Sequence, residues 1–286
     1  MKLKMCLGQI LLEGGEPDRN FERIAESASF AKKNGAKILL LPECSDIAWT
    51  HPSYSIKAEP IPGKYTNILS EISKKNDLYI CCGLTEKFND KFFNSAVLID
   101  NNGVIVNKYR KINILSKGKI YSVGNTLSVV ETDIGNIGIN ICSDNYANSI
   151  CLSEALCRMG ANIILSPSSW TVEYSDNSDD PYGLKWKAPI NFVSKKYSVV
   201  FATVTSVGYI VGGPFEGRKM VGCSFISQNG NIIVQGIRNE VAGENILSDI
   251  EIAKDVIVGT DLSEKVEDIF LNQSQIKKIE KDLIEG

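Results

Sequence analysis

Two periods of apolar residues alternate along the chain. Residues 3–12 are almost wholly apolar and read as a strand. Residues 18–34 place Phe21, Ile24, Ala25, Ala28 and Ala31 on one face of a helix that stops at Gly35. Residues 37–41 are apolar without alternation, the mark of a strand covered on both faces, and run straight into Pro42 and Glu43. The pattern then repeats, with a helix over 65–76 and a buried strand over 78–84. Residues 94–100 and 104–108 form a hairpin around Asn101-Asn102-Gly103.

Strands at 127–131 and 136–141 flank a turn at 133–136. A helix over 149–159 precedes a strand over 162–165, which leads into Ser166-Pro167-Ser168-Ser169-Trp170. Residues 183–197 are helical in pattern, with Pro189 placed to kink or divide the helix. Strands at 199–204, 222–227, 232–235 and 246–252 follow, and the polar stretch 173–182 reads as an exposed loop. Strand–helix–strand units mixed with hairpins predict an α/β fold, a mixed sheet with helices packed on it. With no composition break, 1–262 is expected to be a single domain. The remainder, 263–286, is a charged amphipathic tail: a surface helix, or an arm packed on a partner subunit.

Composition narrows the chemistry. Of 286 residues, 43% are hydrophobic and 23% charged, ordinary for a globular protein with a sizeable core. The net charge of −3, without a long basic run, argues against nucleic acid or an anionic membrane as partner. No apolar run approaches the roughly 18 residues a membrane span needs, and 5–12 make a poor signal peptide. Eight cysteines include no CxxC pair and sit mostly in apolar runs, so the chain reads as cytoplasmic and reduced. The single histidine, His51, excludes a multi-histidine zinc site within one chain. In an enzyme of this composition, proton transfer falls to Glu, Asp, Lys, Cys or Tyr.

Three such residues stand at or just past strand ends, where α/β sheets tend to bind ligands: Glu43, Lys111 and Cys142. Together they suit acyl transfer without imidazole. A carboxylate can take the thiol proton and return it to a leaving amine. A lysine ammonium can favour the thiolate and stabilise an oxyanion, with the backbone N–H of Ser143 as a second donor. Taken singly, each residue has an ordinary structural reading; their order and context carry the argument.

Leu40-Leu41-Pro42-Glu43, Lys108-Tyr109-Arg110-Lys111 and Asn140-Ile141-Cys142-Ser143-Asp144 resemble the three signature blocks of the nitrilase superfamily of carbon–nitrogen hydrolases. The resemblance extends through 158–170 and 213–225 and covers roughly residues 1–260. It implies a four-layer α-β-β-α sandwich, usually paired through a helical face into a homodimer or larger homo-oligomer. It implies Glu43 as general base, Lys111 as oxyanion stabiliser and Cys142 as nucleophile, with no organic cofactor and no metal. Many members carry a second glutamate soon after the lysine and a histidine two residues past it. Here the histidine position is Asn113, and 113–125 contains no carboxylate; Glu86 and Asp144 are the candidates for the vacant role.

The expected substrate is a small-molecule amide or carbamoyl group, cut through a thioester. Nitrile hydrolysis, acyl transfer to an amine, and a catalytically silent scaffold on the same fold are the alternatives. Further candidates are Ser143, Asn145 and Trp170 for substrate contact. Asn145 could equally cap the following helix, Trp170 could equally close the core, and His51 is expected to line the pocket or support structure.

Overall fold

The computed structural model describes residues 1–115, 120–256 and 258–259, so the expected tail at 263–286 lies outside the described residues. In chain order the elements are β1 (Lys2–Gln9), α1 (Pro17–Lys33), β2 (Ile38–Leu40), α2 (Tyr54–Lys57), α3 (Lys64–Asn76), β3 (Tyr79–Phe88), β4 (Lys91–Ile99) and β5 (Ile105–Arg110). Then come β6 (Val129–Thr132), β7 (Gly135–Ile139), 3-10 turns at Cys142–Asn145 and Ala147–Ser149, α4 (Cys151–Arg158), β8 (Ile163–Ser168) and β9 (Val172–Glu173). The remainder is α5 (Gly183–Tyr197), β10 (Val200–Thr205), β11 (Val207–Tyr209), β12 (Arg218–Val221), β13 (Phe225–Gln228), β14 (Asn231–Gln235) and β15 (Glu244–Glu251).

Two six-stranded sheets carry the fold, in the orders β15-β1-β2-β3-β4-β5 and β14-β13-β10-β8-β7-β6. Each has three parallel central strands, β1-β2-β3 or β7-β8-β10, flanked by antiparallel ones. Side-chain alternation explains the stacking. On the first sheet Met5, Leu7, Leu40, Ala96 and Leu98 meet the second sheet. Their neighbours Cys6, Leu39, Leu41, Val97 and Ile99 face Phe21, Ile24 and Ala28 of α1 and Leu69 of α3. Leu156 of α4 and Trp186, Ile190 and Val193 of α5 cover the outside of the second sheet. The result is the expected four-layer α-β-β-α sandwich.

Several expected boundaries move. β1 stops at Gln9 rather than residue 12, because Gly8 to Ile10 turns back with an Ile10 N–H to Gly8 O bond of 2.9 Å. The strand expected over 222–227 starts only at Phe225, as β13; it is parted from β12, which ends at Val221, where Gly222 (φ +74°) and Cys223 (φ +63°) take left-handed backbone. A Cβ on Gly222 would lie 2.2 Å from Gln9 Nε2, and that Gln9 amide accepts from Ser224 N–H and donates to Ile237 O. The small sheet β11-β12-β9 was not expected, nor was the single turn α2. α5 runs continuously through Pro189, so the helix is not divided there.

Candidate active site

Glu43 follows β2, and its turn leans on β3. Gly83 N–H donates to Pro42 O, and a Cβ on Gly83 would stand 2.5 Å from the Glu43 Cα, so only glycine permits this approach. The turn is also tied to the second sheet, with Glu43 N–H donating to Ser168 O at 3.3 Å and Ser169 Oγ to Glu43 O at 3.4 Å. Lys111 follows β5, and its N–H bonds to Asn94 O on β4. Lys111 and Tyr109 share one face of β5, while Lys108 and Arg110 point to the other.

Cys142 follows β7 and opens a 3-10 turn at φ +47°, a strained backbone for a residue with a side chain. Asp144 holds that turn. Its Oδ2 accepts from Ile141 N–H (3.0 Å) and the Tyr109 hydroxyl (2.7 Å), and its Oδ1 from Asn113 N–H (2.8 Å). One buried carboxylate thereby links the Cys142 turn to the segment bearing Lys111.

The three expected residues meet between the sheets. Lys111 Nζ lies 2.6 Å from Glu43 Oε1, and both side chains are buried. The Cys142 thiol lies against the Glu43 carboxylate and the Ser169 backbone N–H. Burial first, and the Glu43 charge second, push this thiol up to about 12, against the downward pull of Lys111 and Ser169. Burial works to lower the Lys111 ammonium, but Glu43, Cys142 and Asp144 outweigh it and hold it above its ordinary range. The resting site therefore holds a neutral thiol beside a lysine–carboxylate ion pair.

Asn94 escaped the sequence reading. It sits beside Lys111 across the β4–β5 ladder, and its Nδ2 donates to Glu43 Oε1 at 2.5 Å. Only the strand register reveals that placement, together with the parity that turns Asn94, Ala96 and Leu98 toward the second sheet.

The other candidates separate. Ser143 Oγ donates to Asn113 O at 2.6 Å, so its hydroxyl is engaged by the backbone. Asn145 uses both amide hydrogens and both Oδ1 lone pairs on Asn140, Ser153 and Ser166, so no donor or acceptor remains for a ligand. Trp170 is buried in an aromatic cluster with Tyr146, Tyr182 and Trp186, and its Nε1 has no hydrogen-bond partner among the described residues. Glu86 accepts from Ser95, Lys108 and Arg110, on the face of β5 turned away from Lys111, and does not fill the vacant second-carboxylate position. Among the described residues no group of three or more His, Cys, Asp and Glu is placed to hold a metal ion.

His51 lies in the loop before α2, with Nδ1 2.8 Å from Ser53 Oγ and its ring packed against Gly14 and Gly15. These contacts serve the structure of that loop. The cavity beside Lys111 and Asn94 is small, with about 10 Å³ of free volume bounded by Trp49, Ile120, Tyr121 and Phe215.

The carbon–nitrogen hydrolase family model matches residues 9–242. A nitrilase from Pyrococcus abyssi is 29% identical over 212 residues, covering 72% of this chain and 76% of that protein. An omega-amidase from Xenopus laevis is 30% identical over 189 residues, 59% of this chain and 67% of that one. Among solved structures, the amidase from Nesterenkonia sp. AN1 superposes with a TM-score of 0.73 over 87% of this chain and 90% of its own, at 16% identity. A CN-hydrolase superfamily protein from Xanthomonas campestris gives 0.72 at 16% identity, over 88% and 91%. The structures speak for the fold alone. With a family match spanning most of the chain, the protein belongs to the carbon–nitrogen hydrolase family, the nitrilase superfamily, as an amidase-like member.

Proposed function

We propose that this carbon–nitrogen hydrolase cleaves a small-molecule amide through a thioester on Cys142. The observation that carries the reading is the buried convergence of Glu43, Lys111 and Cys142, three residues from three separate strand ends.

The neutral thiol needs a base at the moment of attack, and Glu43 Oε2 has no hydrogen-bond partner among the described residues. As Sγ bonds to the amide carbon, the thiol proton passes to Glu43 and the carbonyl electrons move onto oxygen. Lys111 and the Ser143 backbone N–H are the donors for that oxyanion; one such donor is worth about 10²–10³ in rate. Collapse of the intermediate breaks the C–N bond, and Glu43 returns its proton to the leaving nitrogen. Water, deprotonated by the same carboxylate, then hydrolyses the thioester and frees the carboxylic acid and the thiol. In a mutant of the Nesterenkonia amidase the active-site cysteine carries the acetamide moiety of fluoroacetamide, which shows a nucleophilic thiol in that protein.

The reading extends to a homodimer working in a reducing compartment. Its supports are an open apolar groove between the segment 146–150 and α5, with Leu184 and Phe192 78% and 52% exposed, and eight free thiols. Ammonia release from a panel of small amides, by wild type and by Cys142→Ala, tests the chemistry. Turnover lost in Cys142→Ala, with a mass adduct on Cys142 in the wild type, is expected. Turnover that survives the substitution overturns the nucleophile, and absence of turnover across the panel points to a silent scaffold.

A further inference from the structure

Asn94 is held by one half of its amide and idle in the other. Its Nδ2 donates to Glu43 Oε1, its backbone oxygen accepts from Lys111 N–H, and its side chain is 1% exposed. Its Oδ1 has no hydrogen-bond partner among the described residues, and Asn94 lines the same small cavity as Lys111. A buried acceptor left unpaired is costly, and in an enzyme site it marks where a ligand donor is awaited.

The geometry points to Asn94 as the residue that reads the amide nitrogen: its Oδ1 accepts a hydrogen bond from the N–H of the bound carboxamide. This rests on the thioester reading above. Oε1 of Glu43 is taken by Asn94 and Lys111, so Oε2 is the oxygen that exchanges protons with sulfur and with the leaving nitrogen. The nitrogen must therefore come beside Glu43, and Asn94 is the neighbour whose fixed acceptor can meet it there.

The cavity beside Asn94 and Lys111 is small, which suits an unsubstituted NH2 group. The clamp on Glu43 also fixes which amide atom faces the cavity, since the carboxylate requires the donor end. A nitrile or an ester has no N–H for this acceptor. A site built to pair a substrate hydrogen bond rejects the analogue lacking it far more strongly than a missing methylene.

The test compares kcat/KM, which reports acylation, for a primary amide, its methyl ester and its nitrile with the same acyl group. Wild type is expected to prefer amide over nitrile by about 10²-fold or more. Asn94→Ala is expected to lower amide turnover by about 10²-fold and ester turnover by about tenfold or less, collapsing the preference. Asn94→Leu, close in shape and unable to accept, reads the same ratio should the alanine variant fail to fold. Asn94→Asp keeps an acceptor but loses the donor to Glu43, so amide and ester are expected to fall together with their ratio near wild type.

An unchanged amide-to-ester ratio in Asn94→Ala or Asn94→Leu overturns the assignment, as does a wild type that takes nitriles as readily as amides. Both results leave Cys142-dependent turnover intact, which separates them from failure of the thioester reading, where Cys142→Ala would match wild type on every substrate.

Discussion

Lys111 Nζ lies 2.6 Å from Glu43 Oε1, and neither side chain is more than 1% exposed. Removing one member of a buried pair strands the other charge, at a cost of about 3–5 kcal/mol. Lys111→Met is therefore expected to lower the unfolding free energy by about that amount, because Asn94 alone then faces the Glu43 charge. The double variant Glu43→Gln, Lys111→Met is expected to recover most of the loss while remaining inactive. Urea unfolding of the four proteins reads the coupling; additive single effects would show that the pair is not the source.

The Cys142 thiol, pushed up to about 12 by burial and the Glu43 carboxylate, keeps its proton at neutral pH. Its alkylation by iodoacetamide is expected to rise steadily from pH 7 to 10 with no plateau, followed by peptide mass spectrometry because Cys151 is exposed. Glu43→Gln removes the charge that helps hold the proton on sulfur, so Cys142 is expected to alkylate faster at pH 9 even as amide turnover disappears. Slower alkylation together with lost turnover would show that the carboxylate activates the thiol at rest.

Asp46, three residues past Glu43, is buried with both carboxylate oxygens accepting from Thr85 N–H, and burial raises it to about 7. A carboxyl raised in the folded state binds a proton that the unfolded chain has already released. Its contribution to stability is complete below about pH 4, falls as pH climbs to about 7, and is absent above that. Subtracting the unfolding free energies of Asp46→Asn from wild type across pH 4 to 8 is expected to show this decline, of order a few kcal/mol. A difference that is flat, or that grows with pH, would remove the assignment.

The groove lined by Tyr146, Ile150, Leu184, Ala188, Pro189 and Phe192 is apolar enough that a second copy of the helical layer would cover it. Leu184→Glu with Phe192→Glu is expected to shift sedimentation from dimer toward monomer with little change in far-UV circular dichroism. A wild-type protein that sediments as a monomer at micromolar concentration would end the dimer proposal.

The legibility of the site follows from how each residue is encoded. Glu43, Lys111 and Cys142 each stand at or just beyond a strand end, which makes them candidates, and the resemblance of their flanking blocks to the nitrilase superfamily is what implies their roles. Asn94 carries no such mark. It sits inside a strand, and its meaning depends on pairing with β5 and on which face looks toward the second sheet. Glu86 misleads for the same reason, because β5 parity sets its partners Lys108 and Arg110 on the face away from Lys111. The α/β class was readable from strand and helix periods and the four-layer sandwich only from the resemblance, whereas β9, β11 and β12 are two to four residues long and too short to show a period. The break at Gly222 and Cys223 depends on Gln9, more than two hundred residues away.

His51 provides the sharpest check that this site works without imidazole. Its Nδ1 accepts from Ser53 N–H, its ring packs on Gly14 and Gly15, and burial lowers its basicity ahead of the effect of Lys57. A ring so placed stabilises the loop before α2 by filling space: a Cβ on Gly14 would stand 2.6 Å from its Cδ2, so glycine and imidazole are matched there. His51→Ala is expected to cost about 2–3 kcal/mol through the cavity left behind. His51→Gln is expected to keep the wild-type shape of kcat/KM against pH between 5 and 8. A titrating limb near 6 that vanishes in His51→Gln would mean that imidazole takes part in turnover, and the proton route through Glu43 would have to be redrawn.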